Sequence, residues 1–232
     1  MNRRRGILKK SLAFTLAEVL ITLGIVGVIA AISIPMLITA TQKKVAETKL
    51  KHFYSEINNV MRLSANDNGV DIDGWVVRDK SYNEAELRDL INTYFAPYLK
   101  ISYMKPVEKN PNSSAQCRML VVLHNSTAFS IYVDANGGDI FFHPDPSKYD
   151  FANPRHSFAF QMTKTATDFG DDRLNNFNSV SFVQPYILNW DGTKNMLKND
   201  SRFGCNRTSR SKQYCTKYIE MNDWKIPWDY PW

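Results

Sequence analysis

Catalytic signatures, metal-ligand spacing and repeats are what this sequence lacks. Its cysteines, Cys117, Cys205 and Cys215, and its histidines, at positions 52, 124, 143 and 156, form no CxxC or HxxxH pair. That removes the zinc frameworks, which need ligands at short fixed spacing. There is no GxSxG elbow, no phosphate-cradling glycine loop and no HExxH, so no catalytic residue is assigned and an enzyme is not expected. No internal repeat or low-complexity tract stands out. A broad basic surface is missing as well. The formal charge is +6, but Arg3, Arg4, Arg5, Lys9 and Lys10 supply five of those positives. Without residues 1–13 the balance is 6 − 5 = +1. That is too little for a surface that displaces counterions from phosphates, and no nucleic-acid partner is expected.

What is present begins with an apolar run. Residues 14–38 carry a single charge, Glu18. At about 1.5 Å of helical rise per residue, they cross a bilayer core of roughly 30 Å. We read this run as a transmembrane helix surrounded by lipid. The positives before it place the N-terminus in the cytoplasm and the body outside. The run is longer than a signal-peptide core and no A-x-A site follows it, which argues against release by ordinary signal peptidase. Outside the cytoplasm a disulfide is stable, although three cysteines cannot all pair within one chain. The remaining length, in a chain of 232 residues that is 44% hydrophobic and 22% charged, suits one ordinary core.

The helical pattern does not stop with the bilayer. Ala46, Leu50, Phe53, Ile57, Val60 and Ser64 recur at spacings of four and three, with Lys43, Lys44, Glu47, Lys49, Lys51 and Glu56 between them. This predicts an amphipathic helix over residues 39–65 that lies against a soluble body. Pro35 sits inside the run and is expected to kink the helix rather than end it. Asn66 to Gly69 supply the stop. A second helix is expected from a Ser81–Glu84 capping box, with Leu87, Leu90, Ile91, Tyr94 and Phe95 as its apolar face. Strands are expected at 119–124, 128–133, 140–143, 157–162 and 180–183, the first three joined by turns at Asn125-Ser126 and Asn136-Gly137-Gly138. Beyond Asn189 the pattern is poor, and a long loop region pinned by cysteines and terminal aromatics is expected.

The stretch Ala13-Phe14-Thr15-Leu16-Ala17-Glu18, followed by the apolar run, resembles the processing site of type IV prepilins and type II secretion pseudopilins. Ala13 stands where that family usually carries glycine. The resemblance implies a cleaved leader over 1–13, cut by a prepilin peptidase between Ala13 and Phe14, with N-methylation of Phe14. It implies an assembly helix over 14–38, in which Glu18 matches the family's glutamate and Pro35 its helix-kinking proline. It also implies an α+β pilin-like fold, with the helix packed on an antiparallel sheet in an extracytoplasmic domain over 66–232. The implied partners are copies of the chain or other pilins in a filament, the peptidase and an inner-membrane assembly platform. A carboxylate in an apolar helix is costly without a partner. In a stack of subunits, the amine of an incoming Phe14 is the partner that the resemblance suggests for Glu18. The alternative is that Glu18 reaches back to the interface.

Cys205 and Cys215, with nine residues between them, suit the short disulfide loop of pilin C-terminal regions, and that pairing is expected. Cys117 reads as a small buried apolar residue. Asp134, Asn136 and Asp139 crowd a glycine turn and offer oxygens of the kind calcium takes, as acidic loops do in some pseudopilins. They do not match an EF-hand, and a plain hairpin turn is the preferred reading. A rival from another class is a signal-anchored extracytoplasmic binding protein in which Glu18 and the Ala13–Phe14 junction are incidental.

Overall fold

The structure is a computed structural model that describes residues 15–69, 82–107, 117–134, 137–151, 153–162 and 183–232. The chain divides into two compact units, Met1–Lys43 and Lys44–Trp232. Helix α1, Leu16–Asn68, contributes to both. It continues through Pro35 and ends at Gly69, whose φ of 68° is the left-handed conformation that closes helices at little cost for glycine.

In the second unit α1 buries Ala46, Leu50, Phe53, Ile57, Val60, Met61 and Ser64. This is the predicted stripe plus Met61, one turn beyond Ile57. The stripe lies on a six-stranded antiparallel sheet formed by β1 (Ile101–Val107), β2 (Arg118–Leu123), β3 (Ala128–Asp134), β4 (Gly137–His143), β5 (Phe158–Met162) and β6 (Val183–Pro185). Each strand pairs with the next, so the sheet is a simple meander in the order β1 to β6. Alternation decides the faces. Met119, Val121, Phe129, Ile131, Ile140, Phe142, Phe158 and Phe160 point to the helix side. Phe53 stacks on Phe142 at 4.4 Å between centroids and lies 5.9 Å from Phe129 and 5.7 Å from Phe160. Asn58 fastens the helix to the last strand. Its amide donates to Val183 O and its carbonyl accepts from Val183 N, both at 3.0 Å.

Helix α2, Glu84–Tyr94, is capped differently from the expectation. Asn83 is the N-cap. Its side chain accepts from Glu86 N at 3.0 Å, and Glu86 accepts from Asn83 N at 2.9 Å. Asparagine caps as well as serine, and the same three-residue spacing fits two residues further on. Ser81 lies outside the described residues. β1 was not expected, and Gly137 and Gly138 belong to β4 rather than to the turn before it. A Cβ at Gly138 would have to displace the end of the Met162 side chain and would lie 3.2 Å from the Tyr132 carbonyl. Residues 180–182 of the fifth expected strand lie outside the described residues, and the strand found there runs Val183–Pro185.

The region beyond Asn189 is a further correction, because it is not a long loop. It carries α3, Lys194–Asn199, capped by Thr193, and α4, Cys215–Glu220. Leu197 of α3 joins Phe141, Ala159, Tyr186, Ile187, Trp190, Phe203 and Tyr214 in a core on the other sheet face, while Cys215, Tyr218 and Ile219 of α4 belong to the core that α1 shares. Cys205 and Cys215 form the expected disulfide, with S–S 2.04 Å. The terminal aromatics do pin the chain. Trp224 packs on Tyr54 at 4.7 Å, and the buried Tyr230 donates from its hydroxyl to Pro154 O at 2.7 Å.

Candidate functional site

The first candidate is the apolar part of α1. In the unit Met1–Lys43, the described large apolar side chains from Leu16 to Ile38 lie open, with Leu16 77% and Met36 70% exposed. Among the described residues this is one helix long and apolar enough to cross a membrane. Among the described residues nothing lies within 4 Å of a Cβ built at Gly24 or Gly27, so none of them demands glycine at either position. Small residues there leave a surface that another helix can approach closely.

Glu18 sits in the first turn and has a partner that the sequence reading did not find. Thr15 N and Thr15 Oγ1 both donate to Glu18 Oε2 at 2.8 Å, and Glu18 N donates to Thr15 Oγ1 at 3.2 Å. This is a capping box, with threonine at the cap and glutamate three residues on. It satisfies donors that a helix start otherwise leaves orphaned. Ala13 and Phe14, the expected cleavage residues, lie outside the described residues. Pro35 lies within the helix, where its carbonyl accepts from Thr39 Oγ1 at 3.0 Å.

The second candidate is buried in the second unit, on the sheet face turned away from α1. His143 on β4 is fully enclosed. Its Nδ1 lies 3.1 Å from His156 O and 2.9 Å from Ser157 Oγ, and its Nε2 lies 3.1 Å from Ser130 Oγ. With the proton on Nδ1 the ring donates to the His156 carbonyl and Nε2 accepts from Ser130; with the proton on Nε2, Ser157 donates to Nδ1 and Ser130 accepts. Burial is the main cause that pulls the imidazole down to about 4. The His156 carbonyl opposes it, and the nearby Arg118 adds to it. Arg118 on β2 lies under the rings of Phe151, Phe141 and Tyr132 at 4.3, 4.6 and 4.9 Å. Burial lowers its pKa and Asp139 opposes that shift.

The model of a protein family described as a family of unknown function, DUF6613, matches residues 36–232. The chain belongs to that family. No curated protein and no solved structure matches it. The matched span holds the whole second unit and begins just after Pro35, so Glu18 and the Ala13–Phe14 junction precede it.

Within this family member, serine and histidine within hydrogen-bond reach invite a nucleophile–base reading. The environment does not support one. Ser130 and His143 are both fully buried, Ser157 is nearly so, and the depressed imidazole is a poor proton acceptor at neutral pH. The cluster instead fills the polar needs of a strand packed among aromatic rings. The calcium candidates are not brought together as a described site. Asp134 ends β3 paired with Gly137, Asn136 lies outside the described residues, and Asp139 pairs with Tyr132 across the hairpin. Among the described residues no group of three or more histidine, cysteine or acidic side chains is placed to hold a metal. Cys117 takes no part in the disulfide and is half-buried against the main core. Of these features, the Thr15–Glu18 box was open to motif reading. The His143 cluster joins residues up to 27 positions apart and left no local pattern.

Proposed function

We propose that the chain is a pilin-like structural subunit of a type IV pilus or type II secretion-type filament. A prepilin peptidase trims it between Ala13 and Phe14, and its N-terminal helix builds it into the filament from the inner membrane. The observation that carries this reading is the fully exposed apolar half of α1 with Glu18 as its single charge, joined to an α+β body closed by the Cys205–Cys215 disulfide. Such a helix is satisfied by lipid while the subunit is stored and by neighbouring helices once it is assembled. Copies of the chain or other pilins, the peptidase and an assembly platform are the partners.

A specific observation favours the rival reading, that of a plain membrane anchor for an extracytoplasmic module. The Thr15 bonds give Glu18 partners inside its own chain, so no neighbouring amine is required for its charge to be met. Intact mass and N-terminal sequencing of protein from host membranes, with and without the prepilin peptidase, separate the two. A chain beginning at methylated Phe14, absent from the deletion strain, supports the filament subunit. A chain that keeps Met1 in both strains sinks it and leaves the anchor.

A further inference from the structure

Positive charge is gathered on one braced stretch of the C-terminal region. Residues 194–217 hold seven lysines and arginines against one acid, Asp200, a balance of 7 − 1 = +6. Residues 14–232 carry +1 in all, so everything else in that span amounts to 1 − 6 = −5. The frame under these cations is tightly bonded. The Cys205–Cys215 disulfide closes the loop that carries Arg207, Arg210 and Lys212. Inside it Asn206 Oδ1 accepts from Thr208 N and Ser209 N, both at 2.8 Å, so Arg207 and Arg210 flank one turn. Lys212 Nζ donates to Ser209 O at 2.8 Å, which sets the ammonium on the same turn. Arg202 joins from outside the loop, because Ser211 N donates to Arg202 O at 2.8 Å and Arg210 N to Ser201 O at 3.1 Å.

Arg202, Arg207 and Arg210 are exposed, and among the described residues none of the three has an ion pair. Asp200 turns Oδ1 to the backbone N–H groups of Arg202 and Phe203 instead. The chemistry of the surface narrows its partner. Arginine forks match carboxylates and phosphates. No large apolar side chain of residues 194–217 is exposed, so the surface offers nothing for base stacking or for insertion into lipid. The basic patch is small and the rest of the chain is negative. Duplex DNA, with a charge about every 1.7 Å, would run on from the patch over repelling surface. A hydroxyl-rich polymer whose carboxylates stand apart meets the arginines without that repulsion.

We propose that Arg202, Arg207, Arg210 and Lys212 form a contact for acidic polysaccharide of the uronic-acid type. Both readings of α1 set this unit outside the cytoplasm, where such polymers are met, and binding in vitro tests the contact whichever of them holds. The full chain in neutral detergent is titrated into fluorescein-labelled oligogalacturonate and followed by anisotropy. Beside it run Arg207→Gln/Arg210→Gln and a control, Lys100→Gln/Lys148→Gln, that removes two charges elsewhere. With four cations engaged at a slope of about 0.7 per contact, the parent is expected to weaken roughly 50-fold from 50 to 200 mM salt, and the arginine variant only roughly 7-fold. At 50 mM salt the arginine variant is expected to bind about tenfold more weakly than the parent, or worse, while the control binds like the parent. Absence of binding, equal binding by parent and arginine variant, or an equal loss in the control overturns the contact. So does tighter binding of a duplex DNA of the same length, which assigns the patch to nucleic acid. Salt-sensitive self-association without oligogalacturonate binding overturns it too and assigns the patch to a second copy.

Discussion

Acidification is expected to weaken the second unit through His143. The imidazole falls from 6.5 to about 4 in the folded chain, mainly through burial. The unfolded chain therefore binds a proton that the folded chain refuses between those two values. Stability is full above pH 6.5, is lost as pH falls, and stops changing on this account below about 4. The shift of 6.5 − 4 = 2.5 units corresponds to about 3 kcal/mol in all, and to about 2 kcal/mol by pH 5. The groups facing the imidazole are Arg118, Tyr149 and Phe151, with Ser130, Ser157 and the His156 carbonyl as its polar partners. Arg118 repels the second proton. Asp145 and Asp229, whose carboxyls lie below the ordinary value through bonds from Ser147 and Lys198, act only lower, as the pH falls through the carboxylate range. Urea unfolding of the full chain in detergent, followed by tryptophan emission at pH 7.5, 6 and 5, measures the slope. His143→Gln is expected to be less stable at pH 7.5 and to lose about one proton's worth of that slope. A parent stability that is flat from pH 7.5 to 5, or a variant with the parent's slope, refutes the argument.

Asn58→Ala leaves the Val183 N–H and carbonyl without their amide partner, an expected loss of about 2 kcal/mol. Hydrogen exchange at the Val183 amide reads it, and unchanged protection there counts against the bond. Replacing Cys205 and Cys215 together by serine removes a short loop closure, with an expected loss of about 3 kcal/mol in urea unfolding. A double variant as stable as the parent shows that the region holds without its bridge. Phe53→Ala, at the centre of three phenylalanine contacts, is expected to lose about 3–5 kcal/mol. A loss below about 1 kcal/mol places Phe53 outside the core.

The stripe from Ala46 to Ser64 was legible because one apolar helix face recurs over five turns among charged and polar residues such as Glu47, Lys49, Lys51, Glu56 and Arg62, and period alone settles such a pattern. Strands β2 to β5 were legible for a similar reason, being dense in β-branched and aromatic residues. β1 was not. It is an edge strand with Lys105 and Pro106 inside it and little burial, its apolar residues Ile101, Tyr103, Met104 and Val107 do not alternate, and only pairing with β2 makes it a strand. The two C-terminal helices have six residues each, too short for a period to show. Tertiary contacts hold them, such as the Tyr214 hydroxyl on Leu188 O at 2.5 Å.

Glu18 shows how a correct chemical concern can miss its nearest answer. A carboxylate in an apolar helix needs donors, and the sequence reading looked for them in a neighbouring subunit. Thr15 stands three residues earlier, at capping-box spacing, and supplies both a backbone and a hydroxyl donor. The two answers are compatible on one group. Both Thr15 bonds fall on Oε2, and a carboxylate accepts about four hydrogen bonds in all. The cap therefore holds the charge in place at the start of the helix without using up its acceptor capacity. An arriving amine would add to that arrangement rather than break it, so docking through Glu18 need not cost the helix its first turn.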